Sequence, residues 1–208
     1  MRPSLDKTVL FIAASLPALA LLWLVPTDGL GVNPIREGMH YTGDWAIRLL
    51  ILALAITPAA KVSGAKKLFR YRRMIGLFAF FYGLLHVFTY VVLDHFFDVE
   101  TIIKDIAKRP FITIGMGVFL ILLALAVTST HQMVRRLGAR RWQALHRLVY
   151  LAGVGAAVHF TLSVKKDITE PLIYGAIIAA LLLARLLLRY ELLPRLKIPA
   201  VRGEPVEP

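Results

Sequence analysis

The chain has 208 residues, of which 58% are hydrophobic and 18% charged, against roughly 45–50% and about 25% in soluble globular proteins. A soluble chain this short cannot hide so much apolar surface, because its size bounds the share it buries, so the bilayer is the expected solvent. The absence of cysteine excludes disulfides, thiolate zinc sites, cysteine-held iron–sulfur clusters and cysteine nucleophiles, and a net charge of +12 in so apolar a chain marks lysine and arginine held at a membrane face rather than a nucleic-acid surface.

A membrane-crossing helix needs about 20 largely apolar residues. Six such runs follow one another, at residues 8–25, 45–60, 75–93, 110–128, 146–164 and 171–188. The expected fold is therefore an all-α integral membrane protein, a six-transmembrane-helix bundle. The first run starts basic and contains Ala18-Leu19-Ala20, which resembles a signal-peptidase site. Its apolar residues continue to Val25 before Pro26, so it is expected to remain as a span. The second run is the shortest. Residues 1–190 read as one transmembrane domain, and 191–208, rich in proline and without apolar periodicity, as a disordered tail. Trp23, Tyr41, Trp45 and Trp142 fall near span ends and read as interfacial anchors.

With both termini on one side, that side holds 18 of the 25 Lys and Arg, while nine of the thirteen acidic residues fall on the other. Cytoplasmic loops carry the excess of Lys and Arg, so the termini are expected to be cytoplasmic and the acidic loops periplasmic.

Three histidines, His86, His146 and His159, lie on or at the edge of these spans, where an ionisable group is costly and so a candidate functional site. His86 lies roughly 16 Å from the cytoplasmic end of the third span, and His159 roughly 20 Å out along the fifth, at 1.5 Å per residue. They share a depth in the periplasmic half, whereas His146 lies near the cytoplasmic edge. Two imidazoles from two helices, with neither cysteine nor carboxylate at that depth, suit six-coordinate haem iron. Zinc would want three or four ligands. Without a Cys-x-x-Cys-His attachment the haem would be b-type. At 3.6 residues per turn, an offset of thirteen residues leaves His146 and His159 about 140° apart around the helix, so two cofactors, or one cofactor and a structural His146, are both open. His40, His95 and His131 read as solvated loop histidines, with His40 the one to watch.

Several segments together carry a resemblance: Tyr41-Thr42-Gly43, Thr57-Pro58, Arg70-Tyr71-Arg72-Arg73-Met74-Ile75-Gly76-Leu77, Leu85-His86, Arg109-Pro110-Phe111, Thr128-Ser129-Thr130, and above all Arg141-Trp142-Gln143-Ala144-Leu145-His146-Arg147-Leu148-Val149-Tyr150. Ser163-Val164-Lys165 and Pro171-Leu172-Ile173-Tyr174 complete it. The chain resembles the MsrQ (YedZ) family, haem-binding membrane subunits of the bacterial periplasmic methionine-sulfoxide reductase system, within the ferric-reductase-like transmembrane group. The resemblance implies a multi-pass protein of the bacterial inner membrane. Such a protein passes electrons through haem b to a periplasmic molybdopterin-containing catalytic subunit, with the quinone pool or a cytosolic flavin reductase as donor and FMN as a further cofactor. It makes the chain an electron-transfer subunit rather than the catalyst, and it places the haem-associated histidines on His86, His146 and His159. The wider group carries two histidines on each of two helices; here Arg72 or Arg73 stands where the fourth would be. Arginine stays protonated and cannot ligate iron, so for a second haem on the cytoplasmic side the resemblance leaves open whether water, another residue or nothing stands opposite His146.

Two other functions compete: a haem-containing metalloreductase acting directly on an external ion, and a haem-free transporter or scaffold. A Gly-x-Gly-x-x-Gly run is absent, so nicotinamide oxidation is expected on another protein. The basic loop at 61–73 reads first as a topology signal, and its surface would also attract an acidic flavoprotein or anionic headgroups. The acidic loops at 26–44, 94–109 and 165–170 are the expected surface for a periplasmic acceptor.

Overall fold

A computed structural model describes residues 4–190; the expected disordered tail lies outside the described residues. Helices α1 (Leu5–Leu24), α2 (Pro34–Ser63), α3 (Arg72–Phe88), α4 (Val99–Lys108), α5 (Pro110–Val127), α6 (His131–Leu137), α7 (Ala139–His146), α8 (Leu148–Ser163) and α9 (Thr169–Arg189) follow in order. A 3-10 turn at Lys66–Arg70 precedes α3, and a π-helical turn at Thr89–Asp94 extends it. Six helical stretches are long and apolar enough to cross a membrane, in the order the apolar runs predict.

The boundaries differ where local chemistry extends a helix into polar sequence. The second span is the longest helix, not the shortest: the Asn33 side chain accepts from the Arg36 N–H, Pro34 occupies the first turn and Glu37 complements the helix dipole. Most of the expected loop 26–44 is therefore helix. At the far end of α2, Gly64 takes a left-handed φ of 71°, the usual glycine stop. The fifth span runs from Ala139 to Ser163, interrupted by one turn residue, Arg147, whose backbone stays in the right-handed helical region at φ −71° and ψ −20°.

The core forms where α2 meets its neighbours. Leu49, Leu50, Ala53 and Ile56 of α2 pack with Ile75, Ala79 and Tyr82 of α3, Leu122 of α5 and Ala152 of α8. Small residues let the helices approach closely, as is common where lipid removes the hydrophobic drive between them. A methyl group on Gly155 would lie 2.7 Å from Val118, and one on Gly153 3.0 Å from Leu54. The outward faces of α1 and α9 stay apolar, with Leu16, Leu19, Leu172 and Leu183 exposed, as lipid contact requires.

Helix α1 is attached mainly through α3. Pro17 sits inside it, and next to Pro17 the fully buried Tyr82 places its hydroxyl in the helix ladder: it donates to the Ala14 carbonyl at 2.8 Å and accepts from the Ala18 N–H at 3.0 Å. At the start of α1, Asp6 bonds both Arg70 and Tyr71, so that end of α1 lies beside the start of α3. Arg185, inside the sixth apolar run, belongs to α9 and turns inward, donating to the Leu54 carbonyl at 3.2 and 2.5 Å and to the Tyr150 hydroxyl at 2.9 Å.

Candidate functional site

His86 of α3 and His159 of α8 meet inside the bundle, with ring centroids 6.1 Å apart and planes at 85°. Each is held the same way by a different helix. His86 Nδ1 lies 2.8 Å from the Met39 carbonyl of α2, and His159 Nδ1 lies 2.7 Å from the Phe111 carbonyl of α5. A carbonyl can only accept, so in both rings Nδ1 carries the proton and Nε2 keeps the lone pair. Four residues beyond each carbonyl stands a glycine: Gly43 lies against the His86 ring and Gly115 against that of His159. The unit of carbonyl, glycine and imidazole thus occurs twice, once on α2 with α3 and once on α5 with α8.

This arrangement fits a metal held between two imidazoles. A metal–imidazole bond of about 2.0–2.1 Å on each side of one ion spans roughly the observed ring separation. Locking Nδ1 to a backbone carbonyl is the usual way a ligating histidine is oriented. Among the described residues no group of three or more His, Asp or Glu is placed to hold an ion, so a metal wanting a full protein cage is not served. A haem, which brings four nitrogens of its own, needs only the two.

His146 is not part of this pair. It ends α7, lies half-buried with its ring stacked on Trp142 at 3.9 Å, and places Nε2 3.1 Å from the Thr128 hydroxyl. That hydroxyl donates to the Ala124 carbonyl at 2.7 Å, so His146 Nε2 is the donor to Thr128, the reverse of the state found in His86 and His159. Trp142 Nε1 donates to the Thr128 carbonyl at 2.8 Å. Beside them is a cavity of about 300 Å³ lined by Arg72, Trp142, Gln143, His146, Arg147 and Tyr150.

Of the other three histidines, His40 and His131 are exposed. His95 is not the free loop histidine expected from the sequence. It lies 3.4 Å from both Asp94 and Asp105, packs on Tyr90 at 4.4 Å and reaches the Tyr90 carbonyl at 3.2 Å. Asp94, His95 and Asp105 line a cavity of about 420 Å³ together with Asp98, Thr101 and Arg109. Here Asp98 caps α4, and the Thr101 hydroxyl and backbone N–H hold its carboxyl below the usual carboxylate range.

Arg48 is the polar residue that sequence reading passed over. It lies inside α2, donates from Nε to the Tyr174 hydroxyl of α9 at 2.8 Å, and sits 3.8 Å from Asp44 and 5.4 Å from the Trp45 ring centre. An arginine inside an apolar run was itself a signal; the late start assigned to the second span put it near a loop.

Comparison with known proteins places the chain. Residues 42–157 match the family described as ferric reductase like transmembrane component. The chain is 50% identical over 184 residues to a protein of Herminiimonas arsenicoxydans named protein-methionine-sulfoxide reductase heme-binding subunit MsrQ, covering 88% of this chain and 84% of that protein. It is 48% identical over 194 residues to the protein of the same name from Brucella ovis, covering 93% and 86%. No solved structure matches it. The chain therefore belongs to the ferric-reductase-like transmembrane family and, within it, to the MsrQ family.

Proposed function

We propose that this chain is the electron-transfer subunit of a bacterial methionine-sulfoxide reductase system, with a b-type haem held by His86 and His159. The observation that carries the reading is the facing pair of imidazoles, each with Nδ1 tied to a backbone carbonyl and Nε2 left as the ligating atom. A haem bound there supplies a one-electron carrier within the low-dielectric core of the bilayer. The residues do the rest: Met39 and Phe111 fix the rings, Gly43 and Gly115 make room for them, and the apolar helices exclude water.

In this reading the protein lies in the bacterial inner membrane with both termini cytoplasmic. The paired histidines sit in the periplasmic half, and electrons leave for a periplasmic molybdopterin-containing catalytic subunit. They enter from the quinone pool or a cytosolic flavin reductase at the basic end. FMN, the further cofactor implied for the family, is proposed at the same end, where Arg72 and Arg147 line one cavity and would supply two cations for its phosphate. His146 is a structural residue of that cavity, bonded to Thr128, rather than a ligand to the haem of His86 and His159.

Purified protein from cells supplied with haem precursor tests the central claim. His86→Ala and His159→Ala are each expected to remove most of the six-coordinate low-spin signal in optical and paramagnetic resonance spectra, while His131→Ala leaves it intact. Full low-spin haem in both variants would overturn the assignment.

A further inference from the structure

Helix α4 divides its circumference into four sectors. Asp98 at its cap, with Thr101 and Asp105, faces the cavity against His95; Ile102 and Ile106 are half-buried against the protein. Next come Val99 and Ile103, 64% and 61% exposed, and last the exposed charged residues Glu100, Lys104 and Lys108. The spacing of three and four residues puts Ile102, Ile106, Val99 and Ile103 on one continuous apolar face, with the first two against the protein and the last two open. Just before the helix, Phe96 and Phe97 are 79% and 64% exposed, with left-handed φ values of 47° and 62°. Bulky residues rarely hold that conformation, and here it turns two aromatic side chains outward beside the open part of that face.

What covers this surface follows from how α4 is tethered. Four residues separate it from the π-turn that ends the third span, and one residue, Arg109, separates it from α5. Both ends are thus tied to the same face of the bundle, and a ten-residue helix held at both ends cannot rise away from it. The exposed apolar residues of α3, Phe81, Leu84 and Phe88, form a stripe spaced three and four apart, as expected of a lipid-facing side, and Leu93, Phe96 and Phe97 carry exposed apolar surface on to α4. We propose that Phe96, Phe97, Val99 and Ile103 are embedded in the headgroup layer of the same bilayer, so that α4 is an interfacial helix lying in the membrane surface. Its charged sector, where Glu100 pairs with Lys104 at 2.5 Å, then faces water. The bilayer thereby sets the height at which the Asp94, His95, Asp98 and Asp105 cavity is presented, a role no segment confined to water could perform.

The chain has no cysteine, so single cysteines can be introduced on the native background. Phe96→Cys, Val99→Cys, Ile103→Cys, Glu100→Cys and Lys104→Cys would each be nitroxide-labelled in nanodiscs of phosphatidylcholine with phosphatidylglycerol. Collisions with oxygen, which partitions into lipid, are compared with those of a water-soluble nickel chelate. Labels at 96, 99 and 103 are expected to show a several-fold higher oxygen-to-nickel ratio than labels at 100 and 104. Equal ratios across the set would overturn the proposal. So would labels at 96, 99 and 103 that are water-accessible in nanodiscs and become shielded only on adding a soluble periplasmic reductase, since the surface would then be a protein-docking site. Hydrogen exchange of unlabelled wild-type protein checks the result without any substitution: the Val99 and Ile103 amides should exchange more slowly in nanodiscs than in short-chain detergent, and unchanged exchange counts against the proposal.

Discussion

A methyl group on Gly115 would lie 2.6 Å from His159 Nδ1 and 2.7 Å from its Cε1, whereas one on Gly43 would lie 3.0 and 3.2 Å from the same atoms of His86. Side-chain carbons do not approach a ring as closely as the first pair, so Gly115→Ala must push the imidazole off the Phe111 carbonyl. The second pair asks for a shift of a few tenths of an ångström. Gly115→Ala is therefore expected to remove most of the low-spin haem signal, and Gly43→Ala to shift the spectrum while leaving most of it. Absorbance and paramagnetic resonance of the purified variants at equal protein concentration check the order; equal retention would show that the glycines do not set ring position. The histidines were legible in the sequence because an ionisable residue in an apolar span stands out by type and depth. The glycines were not, because their role depends on which helix lies opposite, and nothing local to Gly43 or Gly115 states that. The same holds for His95, whose neighbour Asp105 comes ten residues later and reaches it only because α4 folds back.

At the scale of single elements, two helices each carry a polar contact whose loss can be read directly. The Tyr82 hydroxyl bonds both the Ala14 carbonyl and the Ala18 N–H of α1. Tyr82→Phe removes the two hydrogen bonds that tie α3 to α1 there and leaves the Ala14 carbonyl and Ala18 N–H, four residues apart, free to bond each other, so the loss is that of the inter-helix contact, about 0.5–1.5 kcal/mol per hydrogen bond. The variant should melt at lower temperature in detergent, with α1 cleaved by protease before the rest of the bundle. Helix α4 depends on its cap. Asp98 accepts from the Thr101 N–H at 3.1 Å and from its hydroxyl at 2.7 Å, and its carboxyl pKa is depressed in the folded state. A depressed folded pKa means that the ionised cap contributes fully above the ordinary aspartate range and is lost as pH falls through the lower folded value. Hydrogen exchange at Thr101–Ile103 should therefore accelerate on acidification in the wild type, after correction for intrinsic rates, and be fast and independent of that titration in Asp98→Ala. The apolar runs revealed that six spans exist, since each was long enough to cross. They did not reveal where α2 begins or that the fifth span starts as early as Ala139, because helix ends are set by caps such as Asn33 and by tertiary contacts such as Trp142 with Thr128, not by hydropathy.

Across the whole molecule, the bundle separates two polar ends with the paired histidines between them. The basic end holds the Arg72, Arg147 and Trp142 cavity, and the other end holds the acidic cluster around α4. If electrons leave at the acidic end, exposed carboxylates there should speed encounter with an acceptor without touching the haem. Which carboxylates can be tested is decided by their contacts. Asp98 caps α4, and Asp105 binds His95 and Arg109 at 3.4 Å each, so replacing either alters the fold of the surface as well as its charge. Asp94 and Glu100 are the exposed pair whose contacts, to His95 and Lys104, are confined to neighbouring side chains. Asp94→Asn combined with Glu100→Gln is expected to slow reoxidation of the reduced protein by a periplasmic methionine-sulfoxide reductase several-fold at low ionic strength. The two rates should converge near and above physiological salt, where the screening length falls to about 8 Å or less. Stopped-flow spectroscopy at two salt concentrations reads both rates directly, and the unchanged haem spectrum of the double variant serves as its internal control. Identical rates at low salt would move the exit surface away from α4, to the short loop before α9.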